Sequence, residues 1–221
     1  MSVSFANGKR ALTLVELLVS IVIVGFLATL LLGATLKVRS RGHDATCLSQ
    51  LRAHVSAAMQ WSHEHNGLFP TNNLRTELYP YLGITSLAER IDTPMTCPAA
   101  QSLLPTEHYM HATYGINQFL TSSYEGAVYS WQKVRYFRNV QEPSRIIFFL
   151  DGPTDGPNAQ GLVYYGATVR PGKTAFFFPH RNGLNLAYVD GHAAWIGKQE
   201  FLSPEYQDFA SPGNRWGVPS P

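Results

Sequence analysis

Cysteine is scarce in this chain: Cys47 and Cys97 are the only two in 221 residues. Their spacing fits no zinc ribbon or finger, because those motifs need Cys-x-x-Cys pairs. An isolated pair fits one disulfide in an oxidising compartment and a buried reduced pair elsewhere. Charge is scarce too. Acidic and basic residues make up 14%, with a net charge of +2. That balance gives no electrostatic footprint for nucleic acid, and no nucleic-acid partner is expected. There is no Gly-x-Ser-x-Gly and no phosphate-cradling glycine loop, so no enzyme class announces itself. Repeats and low-complexity blocks are also missing. What is plentiful is Gly and Pro, 18 and 14 residues. They point to a turn-rich body rather than a helical bundle. An aromatic content of 12% argues against disorder.

The N-terminus departs from this polar, loop-rich text. From Leu17 to Leu36 run 20 residues without a charge. At about 1.5 Å per residue they make a helix of roughly 30 Å, the thickness of a bilayer's hydrocarbon core. A lone carboxylate, Glu16, stands at the head of this run, behind Lys9 and Arg10. An acid at that depth is costly unless it is paired, which marks it as functional. A secretory signal peptide explains the basic and apolar parts. Its apolar core is far shorter, however, and Leu32-Gly33-Ala34 is a poor cleavage site. A plain signal anchor explains the length but neither Glu16 nor the small residues Gly25, Thr29 and Gly33. Those recur every four positions on one helix face, where backbones can approach closely.

Lys9-Arg10-Ala11 followed by Leu12-Thr13-Leu14-Val15-Glu16 resembles the N-terminus of type IV prepilins and type II secretion pseudopilins. In that family a basic leader ends in a small residue, followed by an apolar residue, Thr, two apolar residues and Glu. Ala11 and Leu12 stand where most members have Gly and Phe, and both keep the size class. The resemblance implies cleavage between Ala11 and Leu12 by a prepilin peptidase, with N-methylation of Leu12 by the same kind of enzyme. It implies other pilin-like subunits as partners, and roles in assembly for Glu16, Gly25, Thr29 and Gly33. The basic residues do not orient the helix, since Lys37, Arg39 and Arg41 follow it as Lys9 and Arg10 precede it. The resemblance places the C-terminal part outside the cytoplasmic membrane, and there Cys47 and Cys97 are expected to form a disulfide.

Beyond the apolar run, Leu48, Leu51, Val55 and Met59 recur at helical spacing, with Arg41, Asp44, Gln50 and Arg52 as polar positions around them. The pattern predicts that the helix continues, bent where Gly42 allows it, until Asn66-Gly67 and Pro70 stop it. A short helix is expected within Leu74–Leu87 and a loop over Thr93–Pro98, where prolines bar a helix. His108–Leu120 reads as irregular strand or loop. From Val128 the signals are β: Ile146–Leu150 ended by Asp151-Gly152, then Leu162–Tyr165 and Ala175–Phe178. Leu184–Val189, Asp190-Gly191 and His192–Ile196 predict a hairpin with a two-residue turn. The segment from Ser203 reads as surface coil.

His180, nine residues, then Asp190-Gly191 resembles a C-terminal signature of a large bacterial group of prepilin-like proteins. Cys47-Leu48-Ser49-Gln50-Leu51-Arg52, Asn66-Gly67-Leu68-Phe69-Pro70, Cys97-Pro98, Tyr114-Gly115-x-Asn117 and Pro143-Ser144-Arg145 resemble further pieces of the same group, in order. For His180 two roles are open. One is a hydrogen bond that fixes the loop at the hairpin. The other is a metal site with Asp190 and His192. Weaker metal candidates are His63-Glu64-His65 and His108-x-x-His111, which lack a telling third ligand. Asp151, Asp155 and Asn158 offer oxygens for calcium in a Gly/Pro loop, without the EF-hand pattern. No other cofactor is expected.

The expected fold is α+β: a long N-terminal helix, half transmembrane and half amphipathic, packed on an antiparallel sheet in a pilin-like way. The expected divisions are a leader over 1–11, a transmembrane helix over 12–36, a spine helix over 37–66 and a β-rich extracytoplasmic part over 67–221. The expected function is assembly into a pilus or pseudopilus, in type II secretion or a related machine. The alternative is a membrane-tethered binding domain that does not assemble.

Overall fold

A computed structural model of the chain describes residues 13–71, 77–85, 94, 96–101, 113–120, 136–154, 168–169, 175–176, 178–207 and 215–216. The side chains of 30–40, 101, 118, 153–154, 168–169 and 175 are not among those described. The chain divides into two compact units, Met1–Gly42 and His43–Pro221. The leader and the bond between Ala11 and Leu12 lie outside the described residues.

Helix α1, Leu14–Glu64, contributes to both units. Its start is set by Thr13. The Thr13 amide and hydroxyl both donate to Glu16 Oε2 at 2.9 Å, and the Glu16 amide donates back to Thr13 Oγ1 at 3.3 Å. This reciprocal Thr-x-x-Glu arrangement is a capping box, which satisfies amides that have no partner in the first turn. In this first unit the large apolar residues from Leu14 to Leu27 are all exposed. Among the described residues no helix is long and apolar enough to cross a membrane.

In the second unit α1 is a buried spine. The residues it buries are Asp44, Cys47, Leu51, His54, Val55, Ala57, Ala58, Trp61 and Ser62. This stripe is rotated from the expected one. Leu48 is only half-buried and Met59 is exposed, while the polar Asp44 and His54 turn inward. Specific partners, described below, hold these two inside. The helix stops as expected: Asn66 and Gly67 take left-handed φ of 55° and 81°. The Gly67 amide then closes on the Ser62 carbonyl at 2.8 Å.

The spine packs on a five-stranded sheet, and the fold is α+β. Its strands are β1 (Tyr114–Asn117), β2 (Ile147–Asp151), β4 (Thr168–Val169), β6 (Gly183–Tyr188) and β7 (Ala193–Gly197), in the order β4-β1-β2-β6-β7. Four of them are antiparallel neighbours; the two-residue edge strand β4 runs parallel to β1. About fifty residues separate β1 from β4, ample for the crossover a parallel pair needs. Strands β3 (Pro153–Thr154) and β5 (Ala175–Phe176) pair separately.

The sheet is covered on both faces, so β2 and β6 are buried along their whole length. One core cluster joins Leu51, Val55 and Trp61 of the spine to Ile116, Phe148, Phe149 and Val189. The other joins Ile147, Leu150, Leu184, Leu186 and Ile196 to Phe201, Tyr206 and Trp216. A register irregularity between Ile147 and Phe149 breaks the alternation of β2 and puts two consecutive phenylalanines in the spine's cluster.

Two expectations are corrected here and a third is met in part. The segment from Ser203 is not surface coil: Pro204–Gln207 is helical and Trp216 is fully buried. Its indole donates to the Tyr206 carbonyl at 2.7 Å, and the Ile147 amide donates to the Arg215 carbonyl at 2.8 Å. Pro98 does not end order but opens a short helix, Pro98–Gln101, a position where its missing N–H costs nothing. Of the helix expected within 74–87, Glu77 and Leu78 are helical and Pro80–Leu82 form a 3-10 turn. The strand expected over Leu162–Tyr165 and the start of the β region at Val128 lie outside the described residues.

The hairpin strands form, but the turn differs. Pairing ends at Ala187–Ala193. The Tyr188 amide donates to the His192 carbonyl at 2.9 Å and the Gly191 amide to the Tyr188 carbonyl at 3.0 Å. That leaves Val189, Asp190 and Gly191 as a three-residue loop, with only Gly191 left-handed at φ 94°. Val189 is the cause: it is buried, and its amide bonds the Ile146 carbonyl at 3.0 Å. The pair of successive positive φ values that marks a type I′ turn occurs instead at Arg181 (48°) and Asn182 (57°).

Gly183 follows that turn directly. A Cβ there would lie 2.3 Å from the Ile196 carbonyl oxygen and 2.5 Å from the Trp195 indole nitrogen. The carbonyl cannot retreat without breaking the β6–β7 ladder. Gly183→Ala is therefore expected to destabilise the domain by about 1–3 kcal/mol, the cost of overpacking a closed site. Urea unfolding of wild type and variant measures it, and equal midpoints would disprove the close approach.

Candidate functional site

The centre of the second unit is polar. His180 is fully buried between two carboxylates. Its Nδ1–H donates to Asp44 Oδ1 at 2.6 Å. Its Nε2 lies 2.9 Å from Asp151 Oδ2 and 3.1 Å from Cys97 Sγ. Asp44 projects from α1, Asp151 ends β2, and His180 precedes the turn into β6. One ring thus joins three separate parts of the chain. Cys97 adds a fourth, through its disulfide to Cys47 on α1.

The surrounding backbone holds this arrangement. The Asn185 amide donates to Asp151 Oδ1 at 2.8 Å. The Trp195 indole donates to the His180 carbonyl at 2.7 Å, and the Cys97 amide donates to Thr113 Oγ1 at 2.6 Å. Arg181, lifted by its left-handed φ, reaches Asp44 Oδ2 at 2.9 Å. Two carboxylates thus face one buried imidazole, with the exposed Arg181 guanidinium on the outer oxygen of Asp44.

Burial, the largest influence on His180, pushes its pKa down. Asp151 first and Asp44 second pull it up, and together they prevail, so the ring titrates above its ordinary 6.5. Burial likewise raises Asp151, against His180 and Asn185. His54 behaves in the opposite way. It is fully buried against Tyr114 and Phe149, and its Nδ1–H donates to the Gln50 carbonyl at 2.8 Å. Burial outweighs the hydrogen bond to Gln50 and lowers its pKa to about 4. The spine therefore faces two buried histidines whose pKa values are pushed in opposite directions.

His180 has no solvent access, so its chemistry is that of a cross-link rather than a base acting on substrate. It does not gather with Asp190 and His192. Those two pair with one another, Asp190 Oδ1 accepting from His192 Nδ1 at 2.6 Å and from its amide at 3.1 Å. The Asp190 amide also donates to the Pro143 carbonyl at 3.3 Å, joining two signature pieces far apart in sequence. Asp151 points into the core rather than into its loop; Asp155 and Asn158 lie outside the described residues. His65 stacks on Trp61 and donates to its carbonyl at 2.7 Å. Glu64 accepts from the Tyr81 hydroxyl, and His108 and His111 lie outside the described residues. Of the positions on the N-terminal helix, Glu16 caps, Gly25 has open space where a Cβ would be, and Thr29 bonds back to the Phe26 carbonyl at 2.7 Å. The side chains of residues 30–40, Gly33 included, are not described.

Sequence reasoning missed Asp44, His54 and the inward role of Asp151. One signal was present. Asp44, Cys47 and Leu51 lie at i, i+3 and i+7, on the face that carries the cysteine.

Residues 6–32 match the family model described as the prokaryotic N-terminal methylation motif. The match covers the basic leader, Glu16 and much of the apolar run, and supports a prepilin-like or pseudopilin-like class. No curated protein and no solved structure matches the chain significantly.

The two histidines give stability opposite pH dependence. His54, lowered from 6.5 to about 4, contributes stability that is complete above pH 6.5 and lost as pH falls towards 4. At about 1.4 kcal/mol per pKa unit the loss is on the order of 3 kcal/mol. His180, raised, contributes stability that is complete below pH 6.5 and lost as pH climbs through its folded pKa. Thermal unfolding of the full chain from pH 4 to 9 tests both. His54→Phe is expected to flatten the acid limb relative to wild type, and His180→Gln the alkaline limb. Parallel profiles for wild type and variants would refute the assignment.

Proposed function

We propose that the chain is a pilin-like structural subunit that assembles into a pilus or pseudopilus, in type II secretion or a related machine. It is cut between Ala11 and Leu12 by a prepilin peptidase and methylated on Leu12. Helix residues 12–36 hold it in the inner membrane, with the second unit outside the cytoplasm. It associates with other pilin-like subunits and is not an enzyme.

The observation that carries this reading is the methylation motif over residues 6–32 lying on a helix that leaves its large apolar residues exposed from Leu14 to Leu27. So long an apolar surface calls for lipid or neighbouring helices. The Cys47–Cys97 disulfide suits an oxidising compartment. Buried His180 supports the non-enzymatic part, since a sealed ring meets no substrate.

Glu16 distinguishes assembly from simple helix capping. Cutting before Leu12 creates an ammonium near Thr13, and the Glu16 carboxylate of a neighbour, or of the same chain, neutralises it. In low dielectric such a pair favours one axial register. The capping box needs only a hydrogen-bond acceptor, which glutamine also supplies. Glu16→Gln and Glu16→Val are both expected to be cleaved and folded but poorly incorporated into filaments. Incorporation is measured by shearing filaments from cells and blotting for the subunit. Normal incorporation of Glu16→Gln would reduce Glu16 to a cap. Mature protein whose N-terminal residue is other than Leu12 would overturn the processing step.

A further inference from the structure

Cys47, Cys97 and His180 place two sulfurs and a ring nitrogen within 4.8 Å of one another, all three residues buried. We propose that, when its two cysteines are reduced, this chain binds one zinc ion on Cys47 Sγ, Cys97 Sγ, His180 Nε2 and Asp151 Oδ2. Four ligands of the thiolate, imidazole and carboxylate kinds meet zinc's tetrahedral requirement. The two sulfurs and the ring nitrogen are already gathered, and Asp151 stands beside that nitrogen. Asp151 Oδ2 lies 2.9 Å from Nε2, yet it is buried without an aligned hydrogen bond. Its other oxygen is held by the Asn185 amide.

The outer shell is also in place. Zinc-bound histidines donate their other ring N–H to a carboxylate or carbonyl, which fixes the tautomer. Here His180 Nδ1–H already donates to Asp44 Oδ1 at 2.6 Å, and Arg181 pairs with the second Asp44 oxygen. Zinc–sulfur bonds of about 2.3 Å in a tetrahedron set the sulfurs about 3.8 Å apart, an ordinary contact for two unbonded sulfurs. Binding releases one proton from each thiol and one from His180 Nε2, and no electrons move. The disulfide and the zinc site exclude each other, because disulfide sulfurs are not thiolates. Both tie α1 to the turn at Pro98, so the reduced chain closes the same 50-residue separation without an oxidant. Cys-x-x-Cys spacing is absent, which is why no sequence motif marks the site.

The test uses the full chain in detergent, reduced and stripped of metal, with zinc and cobalt(II) salts as probes. One zinc per reduced chain is expected by elemental analysis after desalting, and none per oxidised chain. Cobalt is expected to give a thiolate charge-transfer band in the near ultraviolet and tetrahedral bands in the visible. His180→Gln should lose the zinc and the tetrahedral bands, while its oxidised form keeps wild-type circular dichroism. Asp44→Asn should weaken zinc binding by about 10–100-fold, as loss of an outer-shell partner does. Zinc uptake equal in reduced and oxidised chains, or no thiolate band with cobalt, would overturn the proposal. Should His180→Gln fail to fold, the wild-type cobalt spectrum and the Asp44→Asn affinity decide the matter.

Discussion

The body of this protein depends on one imidazole ring. His180 faces Asp44 through one nitrogen and Asp151 through the other. Without it, buried Asp151 would lose its counter-charge and Asp44 would keep only the exposed Arg181. Losing one partner of a buried pair typically costs about 3–5 kcal/mol, because an uncompensated charge stays behind. The ring thereby sets the depth at which α1 meets the sheet, a constraint that non-directional apolar packing alone does not impose. The Cys47–Cys97 disulfide lies against the same ring, so a covalent and an ionic tie act at one point on the spine.

A neutral polar anchor works beside it. Asn117, buried at the end of β1, donates to the Ile147 carbonyl at 2.6 Å and to the Trp216 carbonyl at 3.1 Å. Its own oxygen accepts from the Phe119 amide at 3.0 Å. Tyr114, three residues earlier, sends its hydroxyl to Gln50 Oε1 on the spine at 2.6 Å. So β1 is tied to α1 through Tyr114 and to the C-terminal segment through Asn117. The short motifs scattered along the chain make sense as the contact points of a body covered on both faces of its sheet.

Much of this was legible in the residues. The stop at Asn66-Gly67, the apolar run of β2 and the two hairpin strands follow from local propensity and turn chemistry, which act within a few residues. Counting left Cys47 and Cys97 as a disulfide or a reduced pair, and the resemblance to exported pilin-like proteins chose the disulfide. What stayed hidden is long-range. Asp44 reads as a solvated helix position because its partner lies 136 residues away. Asp151 followed by glycine reads as a turn, since nothing local reveals that β6 will lie alongside. The hairpin turn was misread because Asp-Gly satisfies the two-residue rule locally, whereas the burial of Val189 is decided by Ile146 on another strand. Trp216 looked like part of a coil because Pro and Gly surround it, and propensity does not register what a single indole can cover.

The disulfide and the ring contacts join residues 44, 47, 97, 151 and 180, and Trp216 closes the second core almost at the end of the chain. Few of these contacts are local. Folding rates fall as the separation between contacting residues grows, because loop closure must precede the reward. The spine is made well before the residues it packs on, so the body stays open until Trp216 has emerged. A chain truncated anywhere before Trp216 lacks part of its second core.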